Sequence, residues 1–408
     1  MKSMEHSFIP SDEYVQHARD LHKNNIVFDS LAPGFIDEWL VTPSMREVGL
    51  EVQAKGGTRP AIKEAMARRL IEQCTQDNET RREYLDYWDR AGVTAGNYTL
   101  YASGPPDTAY EATLRAAQQA QQFAQLFNGE LSVANTANEV EAAYKARHHV
   151  VMFNLQSAEP VGSDLDRVDK LHELGVRSMQ LTYNLRTRFG DGCLETNDGG
   201  LSRFGEALIE KMNSTGIIVD LSHASAGTAK DAVAASRRPV IASHTAARNI
   251  SGHRRGLWDE VLKGISDTGG YAGVVILPAF IVGANGNDNA ERAGKPRSWA
   301  TLDVVVDHIL HLVNVMGTDH VGVGTDWGKP YYNALTWTPE MVKPQRGFNW
   351  IGWRPEDRFD PNAQTYGMET WDQWPNLTAA LLQRGMPEDV VVKIIGGNYM
   401  RVLREFSQ

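Results

Sequence analysis

Short apolar runs rich in Val and Ile recur along the chain, most of them opened by glycine or a charged turn. Eight of them read as strands: Asn25–Leu31, Val93–Leu100, His149–Gln156, Val176–Tyr183, Gly216–His223, Pro239–Thr245, Gly270–Leu277 and His320–Trp327. β-Branched runs bounded by turn residues favour the extended, pleated backbone. Between them the apolar positions switch to helical spacing. Leu165–Leu174 and Arg203–Asn213 precede the fourth and fifth strands, Ala226–Ser236 and Trp258–Thr268 follow the fifth and sixth, and Leu302–Met316 precedes the eighth. Strand and helix alternating eight times predicts an α/β chain closed into a single (β/α)8 TIM barrel over residues 1–408. Two stretches stand outside the repeat. Residues 32–92 read as a charged helical insertion after strand 1, and residues 328–373 as a Trp-rich, lid-like segment after strand 8.

The C-terminal ends of parallel barrel strands are where such folds place their chemistry. Gln156 ends the third run, Tyr183 the fourth, His223 the fifth, His244 the sixth and Asp326 the eighth. One histidine on an apolar strand is ordinarily a core group. Two at matching positions of consecutive strands point instead to a metal, because neighbouring strands can bring two neutral imidazoles to one ion. Asp326, in Val321-Gly322-Val323-Gly324-Thr325-Asp326, suits a ligand, a proton carrier or a helix cap. Arg255 suits either a clamp on a substrate carboxylate or a solvated position. Tyr183 suits either a donor to a developing oxyanion or barrel packing.

Composition narrows the setting. The chain has 408 residues, 42% of them hydrophobic and 23% charged, which is ordinary globular usage. The net charge of −10 argues against a nucleic-acid partner. Cys74 and Cys193 form no CxxC knuckle and no disulfide framework, and Cys193 has no nearby histidine to make it a nucleophile. The first residues lack the apolar core of a signal peptide, and no run reaches the ~18 apolar residues of a membrane span. A cytoplasmic protein is expected.

The chain resembles the membrane (renal) dipeptidases, the M19 group of metallopeptidases. The resemblance rests on Gly200-Leu201-Ser202-Arg203-Phe204-Gly205, Val219-Asp220-Leu221-Ser222-His223, Pro239-Val240-Ile241-Ala242-Ser243-His244, Asp319–Asp326, and the tail Gly396-Gly397-Asn398-Tyr399. It implies a barrel of the metal-dependent hydrolase type, paired as a homodimer, with two zinc ions. One zinc would be held by a His-x-Asp pair on the first strand. The other would be held by histidines falling on His223 and His244. A glutamate ending the third strand would bridge them. Asp326 would assist the water, and Arg255 and a histidine at position 183 would contact substrate.

The chain departs from that pattern at its metal ligands. Leu31 and Pro33 stand in the His-x-Asp positions, Gln156 stands for the bridging glutamate, and Tyr183 for the histidine. What remains suits one divalent metal on His223 and His244, with Gln156 or Asp326 adding an oxygen: zinc first, iron or manganese otherwise. Asp29 and Glu159 are ligands only if the register differs by a turn. The expected activity is hydrolysis of a small carboxylate-bearing amide or peptide-like substrate. The alternatives are lyase or decarboxylase chemistry on one metal, and a relative that binds a small molecule without catalysis.

Overall fold

The computed structural model describes residues 9–36, 38–100, 104–328, 335, 353–360 and 362–407. Its strands are β1 (Phe28–Asp29), β2 (Ala95–Thr99), β3 (Leu131–Val133), β4 (His149–Leu155), β5 (Val176–Gln180), β6 (Ile218–Asp220), β7 (Ile241–Thr245), β8 (Tyr271–Val274), β9 (Ala300–Thr301), β10 (Val321–Val323) and β11 (Thr365–Tyr366). The order β1-β2-β4-β5-β6-β7-β8-β10 is parallel throughout. Backbone bonds from Ser30 N–H to Val323 O (3.0 Å) and from Asp326 N–H to Leu31 O (2.9 Å) bring the last strand back to the first. The fold is therefore a (β/α)8 barrel, and each of the eight apolar runs supplies one of its strands. β3 flanks β4 from outside the barrel path, and its three residues were too short a run to read in sequence.

Local sequence fixes where these elements begin and end. Ser202 Oγ accepts the Gly205 N–H (3.0 Å) and starts helix Arg203–Thr215, and Gly216 at φ +96° ends it just before β6. The expected strand ends were too long. β6 stops at Asp220 and β10 at Val323, each three residues before the polar group of interest. The reason is backbone geometry: His223 (φ +66°) and Asp326 (φ +50°) turn into the left-handed region, which breaks an extended ladder. Gly324 permits the crowding at that end, since a Cβ there would sit 2.0 Å from Ser243 O.

At the opposite end Tyr399, from helix Asn398–Phe406, plugs the barrel. Its ring stacks on Phe28 at 4.1 Å and meets Tyr271 edge-on at 5.3 Å. The segment between the first two strands is helical, with α1 (Asp12–Asn24) before it and α2 (Pro43–Ala54), α3 (Arg59–Gln76) and α4 (Asn78–Ala91) within it. Of the Trp-rich segment, Trp353 and Trp371 are described and buried, as is Trp374 just beyond it, while Trp337 and Trp350 lie outside the described residues. Among the described residues no helix is long and apolar enough to cross a membrane.

Three buried histidines tie helices and loops to this frame. His308 Nε2–H donates to Ile281 O (3.0 Å) and its Nδ1 accepts the Ala247 N–H (3.0 Å). Burial pushes His22, His253 and His308 each down to about 4. The unfolded chain binds protons at these sites below its ordinary histidine pKa, and the folded chain does not until about 4. Their contribution to stability is thus intact above pH ~6.5 and is lost as pH falls toward ~4. Glutamine at position 308 can both donate to Ile281 O and accept from Ala247 N–H. His308→Gln is therefore expected to keep most of the stability at pH 7.5 while lowering the pH slope by about 1.4 kcal/mol per unit between pH ~4 and ~6.5. Urea unfolding at several pH values measures this; an unchanged slope refutes it.

Candidate active site

His223 and His244 approach each other over the barrel mouth with their Nε2 atoms 3.1 Å apart. Each ring is oriented from behind. Asn184 Oδ1 accepts the His223 Nδ1–H at 2.7 Å, so a lone pair is left on His223 Nε2. Ser243 Oγ–H is drawn to the Asp220 carboxylate, so Ser243 Oγ accepts the His244 Nδ1–H (2.9 Å) and His244 Nε2 is also left with a lone pair. Burial, reinforced by the positive charge of Arg255, holds both imidazoles well below the ordinary histidine pKa, so both are neutral. Two lone pairs facing at this distance repel unless a cation lies between them. Two nitrogens bound at ~2.0–2.1 Å to one tetrahedral ion would be roughly 3.3 Å apart, close to the separation seen. This half of the mouth fits a single divalent ion.

The other half does not fit a second. Leu31 is 1% exposed and packs in the core, and Pro33 is likewise buried. Gln156 Nε2 donates to Thr99 Oγ1 (3.1 Å), so its side chain is engaged with β2. Asp29 is not an available ligand either. It is buried and accepts from Thr325 N–H (2.9 Å) and Oγ1–H (2.6 Å), Leu31 N–H (3.2 Å), Trp371 Nε1–H (2.9 Å) and Trp374 Nε1–H (3.3 Å). Burial pushes its carboxyl up to about 6 against those bonds. Glu159 opens a 3₁₀ turn beyond β4, and its pKa is raised by burial. Among the described residues no group of three or more His, Cys, Asp or Glu converges as a metal site.

Asp326 stands beside the histidine pair, its Oδ2 4.0 Å from His244 Nε2. Its carboxyl is pushed up to about 7 by burial, opposed chiefly by Arg255 and reinforced by Glu38 and Asp29. Left-handed backbone at two non-glycine residues of one site is the kind of local strain that functional sites hold. Tyr183 stacks on the His223 ring at 4.1 Å and 24°. Burial, with Asp326 adding, pushes its phenol up to about 12, so it remains a hydrogen-bond donor at neutral pH. Cys193 is buried behind the site, its thiol pushed up to about 11 by that burial, and has no nucleophilic character.

Arg255 is the most unusual group in the site. It is 2% exposed, its guanidinium lies 5.5 Å from the Phe280 ring centroid, and of its nitrogens only Nη2 is hydrogen-bonded among the described residues, donating to His244 O (3.0 Å). Its Nε and Nη1 are buried without a hydrogen-bond partner. A buried donor left unpaired costs about 1–3 kcal/mol, so these two mark a place for an anion. The loop that carries Arg255 is held by His253, whose Nε2–H donates to Asp357 O (3.0 Å) and whose Nδ1 accepts the Arg255 N–H (3.1 Å).

The structure thus brings His223, His244, Asp326, Arg255 and Tyr183 to one mouth and leaves Gln156 on its wall. Sequence reading missed the supporting groups Asn184, Ser243, Asp220 and His253. One signal was available: a serine immediately precedes both histidines, Ser222 and Ser243, and these two hydroxyls meet at 3.2 Å.

Comparison with known proteins bears on the same residues. Residues 75–335 match the model of the membrane dipeptidase family, peptidase M19. Dipeptidase tcpJ of Claviceps purpurea is 29% identical over 290 residues, covering 70% of this chain and 57% of that protein. An uncharacterized dipeptidase of Schizosaccharomyces pombe is 30% identical over 236 residues, covering 57% of this chain and 54% of that protein. The matches thus span little more than half the length of these two relatives. Among solved structures, an amidohydrolase from Pseudomonas aeruginosa superposes with a TM-score of 0.69 at 26% identity, covering 95% of this chain and 98% of that one.

Proposed function

We propose, from the premise that the chain belongs to the membrane dipeptidase family M19, that it hydrolyses a small carboxylate-bearing amide with a single divalent metal, zinc foremost. The observation that carries this reading is the approach of the two imidazole Nε2 atoms to 3.1 Å, each ring held from behind at Nδ1 by Asn184 or Ser243. His223 and His244 would hold the ion, with Asp326 the nearest carboxylate. When bound there, a divalent ion supplies Lewis acidity, polarising a carbonyl and acidifying water.

The chain's own residues account for the rest. Arg255 takes the substrate carboxylate on its two unpaired donors and so fixes the amide over the mouth. Asp326 receives the proton of the attacking water and returns one to the departing nitrogen. Tyr183, packed against His223, keeps its proton and donates to the oxygen on which charge develops. Asn184 and Ser243 hold the imidazoles in the tautomers that point both Nε2 lone pairs inward.

The test has two parts. Elemental analysis of chelator-free protein should give about one ion per chain, as one two-histidine site requires. Turnover of carboxylate-bearing amides in isotopically labelled water should place solvent oxygen in the acid product. Product without solvent oxygen would assign lyase chemistry instead.

A specific consequence concerns Arg255. Arg255→Met should lower kcat/KM by about 100-fold, mostly through KM, because a desolvated charge pair is worth about 2–5 kcal/mol. The same change removes two unsatisfied buried donors, so the melting temperature should hold or rise. A fall in melting temperature with KM unchanged would mean that the arginine is structural.

A further inference from the structure

The loops that follow β5, β6 and β7 enclose a cavity of about 280 Å³ outside the mouth. None of His223, His244, Asp326, Arg255 and Tyr183 lines it. Cys193 forms a wall between the two: its N–H donates to His223 O (2.8 Å), and its Sγ lies 3.6 Å from Asn184 Oδ1, the acceptor of the His223 Nδ1–H. The cavity therefore lies behind the His223 ring, on the side away from the paired Nε2 atoms. Its size is at the lower end for a small-molecule pocket.

The lining carries charges of both signs, Arg248 and Arg254 with Glu195 and Asp198. Two of the four are committed to the fold. Asp198 accepts from Ser225 Oγ–H (2.6 Å), Gly227 N–H (2.7 Å) and Gly200 N–H (3.1 Å). Arg254 donates to Leu194 O (3.3 Å), and its Nε meets Asp357 Oδ1 at 3.4 Å. The other two are not so committed. The Arg248 guanidinium lies 4.6 Å over the Trp258 ring, and its Nε is buried without a hydrogen-bond partner. Glu195 Oε1 accepts the Arg186 N–H (2.7 Å), while the Arg186 guanidinium is held by Asp191 and by Asn197 O (3.1 Å). Among the described residues Glu195 Oε2 has no hydrogen-bond partner, and no ion pair joins Glu195 to Arg248.

A buried donor left unpaired carries a cost that an acceptor removes. A simple anion in this cavity would meet the charge of Glu195 and Asp198, and a simple cation would meet two guanidiniums. A molecule with a carboxylate and an ammonium on one short frame meets each wall with the opposite charge.

From this arrangement we infer that the cavity is a second binding site, which takes a free α-amino acid. The carboxylate lies on Arg248 and the ammonium on Glu195 Oε2. The inference does not depend on the reaction at the mouth.

The test is calorimetric titration of the whole chain carrying Arg255→Met, so that the mouth offers no guanidinium to a carboxylate. L-Alanine, propionate and ethylammonium separate the two charges on nearly one shape. The expected result is saturable binding of alanine at a single site, about tenfold or more tighter than either singly charged compound, because each charge-assisted hydrogen bond contributes separately. Glu195→Gln keeps an acceptor for the Arg186 N–H and should bring alanine down to the level of propionate. Arg248→Met should abolish alanine binding. Circular dichroism checks that each variant folds, and if one does not, the other decides. Propionate binding as tightly as alanine would overturn the inference, making this a plain anion site. Alanine binding untouched by both substitutions would overturn it, as would no alanine binding at all.

Discussion

His244→Ala lowers the metal content from about one ion per chain to none, and turnover by about 10,000-fold or more, in the outcome expected of a two-histidine site. The reason lies in the donor count. The converging groups supply two nitrogens and, at 4.0 Å from His244, one carboxylate. Without His244 one imidazole remains, and a single neutral nitrogen does not retain a divalent ion against dilution. The deletion leaves Ser243 Oγ without its ring partner, while Ser222 Oγ keeps the backbone N–H of residue 244, so some loss of stability accompanies it. His223→Ala serves as the second variant, because it disturbs a different set of neighbours, Asn184 and Tyr183. Loss of metal in both, with cooperative melting retained in at least one, identifies the ligands. Retention of the ion in both would place it elsewhere in the chain.

Asp326→Asn should lower kcat by about 100- to 10,000-fold with little change in KM, the range that a positioned general base contributes. The substitution is a clean one here. Asparagine tolerates the left-handed backbone that residue 326 adopts, and the backbone bond to Leu31 O does not involve the side chain. The variant keeps shape and loses the negative charge and the capacity to accept a proton. Metal content in the same preparation divides the two roles of this residue. An ion retained at the wild-type level with turnover lost makes Asp326 a proton carrier, whereas loss of both makes it a ligand. Full turnover in the variant would remove Asp326 from the mechanism.

Both predictions concern residues that could be read from the chain before its fold was known, and the physical reason is local. Val219-Asp220-Leu221-Ser222-His223 and Ile241-Ala242-Ser243-His244 each announce a buried strand with a polar residue at its exit. Strands of a parallel barrel all exit on one side, so two such runs in succession already imply convergence. The departures at Leu31, Pro33 and Gln156 were equally visible, because a hydrophobe or an imino acid has no donor for a metal whatever its surroundings. The state of Asp29 was not visible. Its five donors come from Leu31, Thr325, Trp371 and Trp374, and the last three lie about three hundred residues away in sequence.

By itself, then, the sequence determined the alternation of strands and helices, the mouth on which the polar strand ends gather, and the replacement of the His-x-Asp pair by Leu31 and Pro33. Each of these follows from side-chain type and period along a single stretch of chain. Only the tertiary structure decided which nitrogen of each histidine faces the mouth, since that depends on Asn184 and Ser243 approaching from other loops. It alone showed that Arg255 is buried with two donors unpaired. Burial, tautomer and charge balance are properties of the space between segments, and no one segment encodes that space.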